Sequence, residues 1–426
     1  ALLLLWSRGQ VPTATAPAGL TSWIARRIEA TAPVAPADAG GVTATPDAAA
    51  AGPEAPPPAP APESTTGRDD RVARMHAGLC ELDRWLDDRV RTGLADPALA
   101  RYATWDGLAA RLVDAQVGGL ANRVRRLAGV VGARADWHEQ VLAELGVLHL
   151  LARAGRHIRE LPPALADSVA VALGWQVRQA DVLAGVPDTD DWVVMGRSDT
   201  REDRIEVRRV WLRGTDSGRW AMILSFAAYR QSLDATLRVG TVVPADLFRY
   251  PGAGLRAVLG RRHDSSGASG ASGASGRAGS SELSELSELS ELSDASGSSR
   301  TTRAAEVLAT TLTGVRATVT EACAAIGDAF VAEPWVERTP VCLVAAPAKV
   351  GLRWVLTDRT GTLPLALRAG DHGLAMLLAC SGGRPVLLTC EWTAGGLVPL
   401  TVHLNDRTVD IGPVADSGFV DTGLAS

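Results

Sequence analysis

The chain has 426 residues, room for two or three domains, and 46% of them are hydrophobic, ample for a sizeable core. With 43 basic against 48 acidic residues the net charge is −5, which excludes a chain-wide nucleic-acid footprint. Lys349 is the only lysine, which with abundant Ala and Gly points to a GC-rich genome, so arginine clusters are discounted. Cys80, Cys323, Cys342, Cys380 and Cys390 are few, odd in number and far apart, with no C-x₂-C pair or Cys/His cluster at zinc spacing. They fit reduced, buried thiols in a cytosolic protein, and no apolar run approaches the ~20 residues of a membrane span.

In chain order, Ala1-Leu2-Leu3-Leu4-Leu5-Trp6 comes first, entirely apolar and without an initiator Met. Burial favours such a stretch by about 0.8 kcal/mol per CH₂, so a packed partner is expected upstream of Ala1. Two other readings are a truncated secretory segment cut near Ala14-Thr15-Ala16 and a core helix of some other domain. The first lacks a basic leader, and Thr21 to Arg27 reads as a helix start. Residues 32–66, rich in Ala and Pro around Pro56-Pro57-Pro58, read as a disordered linker.

Residues 67–186 read as a helical domain. Val72, Met75, Leu79, Leu82, Leu86 and Val90 recur at spacings of three and four. Tyr102 to Gln116 continues with Trp105, Leu108, Leu112 and Val113, and Leu120 to Val131 forms another segment. Trp137 to Arg153 turns Val141, Leu142, Leu145, Leu148 and Leu151 inward. A last helix starts at Pro162-Pro163 and stops near Gly174.

Residues 187–262 are β-rich. Pro187 to Asp191 reads as a turn, then Trp192 to Met195, Ile205 to Arg213 and Trp220 to Phe226 as strands, with Gly214 to Gly218 as a hairpin loop. Alternation puts Ile205, Val207, Arg209 and Trp211 on one face and Val210 and Leu212 on the other, so this pair sits inside a sheet and Arg209 needs a partner, an internal carboxylate by preference. Residues 263–300 hold Gly/Ala/Ser triplets and four Ser-Glu-Leu repeats, read as a disordered insertion. In residues 301–426 a helical pattern over Ala304 to Phe330 precedes strands at Val341 to Val344, Leu352 to Leu356, Leu374 to Cys380, Pro385 to Trp392 and Leu397 to Leu404. Ser381-Gly382-Gly383 reads as a tight turn between two of them. The fold class is α+β: an N-terminal helical bundle followed by a mainly antiparallel β module, with disordered linkers.

Catalytic patterns are sparse. Gly252-Ala253-Gly254-Leu255-Arg256-Ala257 fits G-x-G-x-x-A but lacks the strand-and-helix setting of a dinucleotide site, so a turn is the better account. His138-Glu139 has no second histidine at 142, and no G-x-S-x-G elbow or phosphate loop exists. An enzyme would have to gather titratable residues in a pocket, with Arg209 or His403 as candidates. Twelve Trp against four Phe and three Tyr is unusual, and Trp85, Trp105 and Trp211 fall on apolar faces. Arg123, Arg125 and Arg126 form one small basic spot; Arg208, Arg209, Arg213 and Arg219 form another. Within the second, Arg208, Arg213 and Arg219 are the candidate contacts to nucleic acid or a partner.

Several stretches resemble one family. Ala1 to Trp6 looks like the end of the helix that follows the C-x-C … C-x-H site of actinobacterial SWIM zinc-finger proteins. Asp83-Arg84-Trp85-Leu86, Ala110 to Gln116, Arg208 to Arg213 with Gly218-Arg219-Trp220, Tyr250-Pro251-Gly252 and Glu391-Trp392 also resemble family segments. The resemblance makes residues 1–31 the remnant of the finger's helix. It implies structural zinc in the complete protein, with ligands upstream of Ala1 and none in this chain. It also implies a cytoplasmic binding or adaptor protein with a protein partner, of AAA+ ATPase or von Willebrand type, or a nucleic-acid partner. The alternative is an enzyme or a nucleic-acid-binding module with its site in the β region.

Overall fold

The computed structural model describes residues 65–133, 137–202, 205–228, 233–252, 254–263, 305–367, 371–404 and 407–414. The expected finger-helix remnant, most of the linker and the Ser-Glu-Leu repeats lie outside the described residues.

Helix α1 (Thr65–Thr92) buries Met75, Leu79, Leu82 and Leu86 on one stripe, as the helical period requires. Helices α2 (Tyr102–Asp114), α3 (Gly118–Leu127), α4 (Trp137–Arg156) and α5 (Pro163–Leu173) share its core through Trp105, Leu112, Leu120, Leu148 and Leu173. The Trp105 indole donates to the Leu99 carbonyl at 2.8 Å, so its full burial strands no donor. Helix α5 has Pro163 in its first turn and ends on Gly174, whose φ of 105° suits glycine. Three residues expected inward are exposed: Val90 (76%), Val113 (46%) and Leu142 (60%). Val113 and Leu142 adjoin Leu112 and Val141, about 100° away around the helix, and the core takes only one of each pair. Val90 sits in the last turn of α1.

After the short helix α6 (Gln179–Leu183) come strands β1 (Asp188–Glu202), β2 (Ile205–Gly214), β3 (Trp220–Ala228), β4 (Val242–Arg249) and β5 (Arg256–Arg262). They close a barrel in the order β1-β2-β3-β5-β4, antiparallel throughout except for β3 and β5. That order with one parallel pair is the Greek-key barrel of the OB type. Strand β1 pairs with β4 at its start and with β2 beyond, with a bulge between Val194 and Gly196. Val210 and Leu212 point into the barrel with Ala221 and Ile223, while Trp211 points out, as alternation requires. The segment expected as a turn at Pro187 to Asp191 instead begins β1 at Asp188, because its residues pair with Pro244 to Leu247 of β4.

Residues 305–314 form α7, and α8 (Val319–Ala332) follows with a capping box between Thr318 and Glu321. Strands β6 (Thr339–Val350), β7 (Arg353–Asp358), β8 (Gly361–Pro364), β9 (Val386–Thr393), β10 (Gly396–His403) and β11 (Thr408–Asp410) make an antiparallel sheet in the order β11-β10-β9-β6-β7-β8. Helices α8 and α9 (His372–Ser381) pack on one face through Val319, Ile326, Leu374 and Leu377 against Leu343, Leu388 and Val402. The other face meets the barrel. Cys342 packs with Val193 and Met195, and a Cβ on Gly196 would fall 2.9 Å from that of Leu400.

Helix α9 corrects the strand expected over Leu374 to Cys380. That run is apolar without alternation, which leaves the period ambiguous. Gly382 is the helix's left-handed cap (φ 56°) rather than part of a hairpin turn, and its N–H bonds Leu378 O at 2.9 Å.

Residues Glu333 to Arg338, between α8 and β6, tie these parts together. Trp335 is buried in the core of the helical bundle. Arg123, 9% exposed, donates to Trp335 O (3.1 Å) and pairs with Glu144 and Glu337 (both 2.8 Å). Arg338 pairs with the fully buried Glu391 of β9, which also accepts the Trp211 indole N–H of β2 at 2.9 Å.

Candidate functional site

An open concavity lies where the β2–β3 hairpin loop meets the β4–β5 turn. The parallel pairing of β3 with β5, Met222 beside Arg256, brings these two turns side by side. Gly218, Arg219, Trp220, Arg249, Gly252, Gly254 and Leu255 line an open cleft of about 430 Å³.

The hairpin loop is built on Asp190. Its carboxylate accepts from the backbone N–H groups of Thr215 (3.1 Å), Asp216 (3.2 Å) and Ser217 (3.0 Å) and from the Thr215 hydroxyl. Burial pushes the Asp190 carboxyl up, but the hydrogen bonds from Ser217, Asp216 and Thr215 outweigh it and hold it below the usual carboxylate range. Three convergent N–H groups form an anion nest, and this one is filled from within the chain.

The second turn is shaped by Gly252. Its φ is +106°, and a Cβ there would sit 3.0 Å from the backbone nitrogen of Ser168 in α5, so the turn lies directly on the helical bundle. Asp188, at the start of β1, bridges the two turns, accepting from Arg219 Nη1 (2.9 Å) and Arg249 Nε (2.5 Å). Arg249 Nη1 donates to Trp220 O at 2.9 Å, while its Nη2 is buried with no acceptor among the described residues. Arg213 lies over the Trp220 ring, 5.2 Å from its centroid, and Arg256 lies over Tyr250 at 4.1 Å. Burial lowers the Arg213 pKa.

The three arginines singled out in the sequence do not form one cluster. Arg219 lines the cleft, and Arg213 stands behind it on Trp220. Arg208 lies five residues from Arg213 along β2, so it faces the barrel interior, where it forks onto Asp199 (2.8 and 2.7 Å) and donates to Asp234 O. Of the other basic spot, Arg123 and Arg126 are bound to Glu337. Sequence reasoning missed Asp188, Asp190, Trp220 and Arg249. The two Gly-bearing turns were visible, but their juxtaposition comes from the β3–β5 pairing.

The cleft is not arranged for catalysis by the residues raised as enzyme candidates. Arg209 is buried and donates to Thr200 at 2.8 Å. His403 is buried in the sheet 2.8 Å from Thr389 Oγ1, and burial lowers its pKa to about 4. The G-x-G turn is followed by strand β5, not by the helix a dinucleotide site needs. Among the described residues no group of three or more His, Cys, Asp or Glu is placed to hold a metal. His76 and Cys80, 3.7 Å apart on α1, offer two ligands where structural zinc takes four, so the described residues do not fit zinc. No described helix is long and apolar enough to cross a membrane.

Fold and site define an α+β protein in which a helical bundle is joined to antiparallel-rich β-sheet. Residues 70–173 match the family model of the SWIM-associated four-helix bundle domain, which supports a SWIM-family protein. No curated protein and no solved structure matches the chain.

Proposed function

We propose that this chain is a binding protein that acts as an adaptor in the cytoplasm, holding a protein partner rather than nucleic acid. The observation that carries the choice is the fate of the barrel's outer face. OB-type barrels hold oligonucleotides on the face of strands 2 and 3. Here the sheet and the strap at Glu333 to Arg338 cover the β2 part of that face, where Arg209 and Trp211 are 8% and 1% exposed, while Phe226 of β3 is 56% exposed. The net charge of −5 and the neutralisation of Arg208 by Asp199 favour the same reading. The resemblance adds AAA+ ATPases and von Willebrand-type proteins as partner classes. It also adds structural zinc and an actinobacterial type.

The test is fluorescence anisotropy of the full chain against single- and double-stranded oligonucleotides across a salt series, beside co-purification with a tagged AAA+ ATPase of the same cell. The adaptor reading expects no oligonucleotide retention at about 0.15 M salt and a protein complex little affected by salt. Oligonucleotide binding with a steep salt slope and no protein complex overturns it.

A further inference from the structure

Helix α4 presents a second apolar stripe to solvent, opposite the one it buries in the bundle. We infer that this stripe is the seam of a homodimer, in which α4 of one chain packs antiparallel on α4 of a second copy about a two-fold axis at Gly146. The pairing goes beyond the adaptor reading and does not depend on it.

Leu142 and Leu150 are 60% and 40% exposed, and Ala143 and Gly146 between them are exposed as well. At about 100° per residue, Glu139, Leu142, Ala143, Leu150 and Arg153 all fall within about 60° of Gly146, the three-and-four spacing of a helix–helix seam. Gly146 is the residue that one chain leaves unexplained. A glycine inside a helix is destabilising, and this one lies mid-helix where an added Cβ would meet nothing within 4 Å. Gly155 of the same helix has its reason within the chain, since a Cβ there would fall 2.7 Å from Leu79 of α1. Gly146 grants the same close approach on the side that faces away.

The occupant follows from the charges. Glu139 and Arg153 stand seven residues before and seven after Gly146, both exposed and neither in an ion pair among the described residues. The helix macrodipole favours such signs at the ends of any helix, but it does not centre them on a glycine between two exposed leucines. A two-fold axis at Gly146 reverses the helix direction. It brings Glu139 level with Arg153 of the second copy, and Leu142 level with Leu150 of the second copy, each twice over. Leu150 then lies over Ala143 of the second copy, large against small, while the two glycines meet at the centre. A parallel pair would instead set Glu139 against Glu139 and align the dipoles. His149, at the edge of the stripe, is engaged by Asp83 at 3.0 Å and stays with its own chain. One helix pair buries less than a standard interface of about 1,200–2,000 Å², so the dimer is reversible, with a Kd of about 10–100 μM.

Sedimentation velocity of the full chain tests this. Across about 1 to 300 μM the mass is expected to rise from the 44.5 kDa of one chain toward twice that value. Glu139→Arg and Arg153→Glu each place like charges together at both ends of the seam and weaken self-association by about tenfold. An equimolar mixture of these two variants restores it, because each then meets its opposite. Gly146→Leu holds the helices apart and leaves monomer at every concentration. Since the space around Gly146 is open, that variant is expected to fold and to melt no lower than wild type. Leu352→Glu, at a 96% exposed position between β6 and β7, changes nothing. A chain that stays monomeric throughout, a dimer indifferent to Gly146→Leu in a folded variant, or an equal loss with Leu352→Glu overturns the inference. So does a mixture of the charge variants that associates no better than either alone.

Discussion

The helical bundle and the barrel are stabilised by different means. The bundle buries Leu79, Leu82, Leu108, Leu112, Leu120, Leu148 and Leu151 almost completely. The barrel interior is thinner, with Ala221, Ala245 and Ala257 among its buried apolar residues. Its rim is held by charge: Arg208 with Asp199, Arg197 with Asp410, and Asp188 shared between Arg219 and Arg249. The barrel is tied to the sheet through the hydrogen bond of Trp211 to Glu391. The bundle also borrows, taking Trp335 from the strap. Both borrow apolar and charged contacts, but the bundle takes a whole indole, Trp335, into its core, whereas the barrel's link to the sheet includes a buried carboxylate, Glu391.

The sharpest way to break this comparison is Trp335→Ala. It removes an indole from the bundle core and leaves the backbone carbonyl that Arg123 uses on a loosened strap. The expected loss is about 3–5 kcal/mol, measured as a shift of the urea midpoint followed by far-ultraviolet circular dichroism. If helix signal and tryptophan fluorescence then unfold in separate transitions, the strap is what makes bundle and β-structure cooperative. A loss below about 1 kcal/mol would show that the bundle does not depend on this residue.

Glu391→Leu probes the barrel's side. It leaves the buried Trp211 indole N–H and the partly exposed Arg338 guanidinium without their shared acceptor, for an expected cost of about 3 kcal/mol. Glu391→Gln is milder, because an amide oxygen still accepts from Trp211. High salt should leave the wild-type melting temperature nearly unchanged here, since a network this buried is poorly screened.

How much of this was legible in the sequence follows from how local each signal is. The period of Met75, Leu79, Leu82 and Leu86 and the Pro163 and Gly174 punctuation gave the bundle its helices, because helical burial repeats within a few residues. The alternation around Val210 to Leu212 placed both faces of β2 correctly. Strands β4 and β5 carried weak signals: Pro244 interrupts one, and three arginines dilute the other. The parity of Arg208 and Arg213, five apart on a strand, already set them on opposite faces. The rest of the site was not legible, since Asp188 and Arg249 are 61 positions apart and meet only through barrel closure.

The smallest effect, and the one that separates the two regions by pH, is expected at His403. It lies in the sheet face that meets the barrel, with Nε2 2.8 Å from the Thr389 hydroxyl and Nδ1 3.5 Å from that of Thr408. Burial lowers its pKa from 6.5 to about 4. Between those values the unfolded chain binds a proton that the folded chain refuses, so acidification favours unfolding. Stability contributed by the neutral ring is therefore complete above about pH 6.5 and lost progressively down to about pH 4, by at most about 3 kcal/mol. Chemical denaturation at pH 7 and pH 4.5 should show His403→Asn less pH-sensitive than wild type across that window. Because His403 is the buried histidine among the described residues, the bundle's share of any two-step transition should move less with pH than that of the β-structure. Equal pH slopes for His403→Asn and wild type would remove the titrating group from the β side and leave carboxylates, in both regions, to account for acid sensitivity.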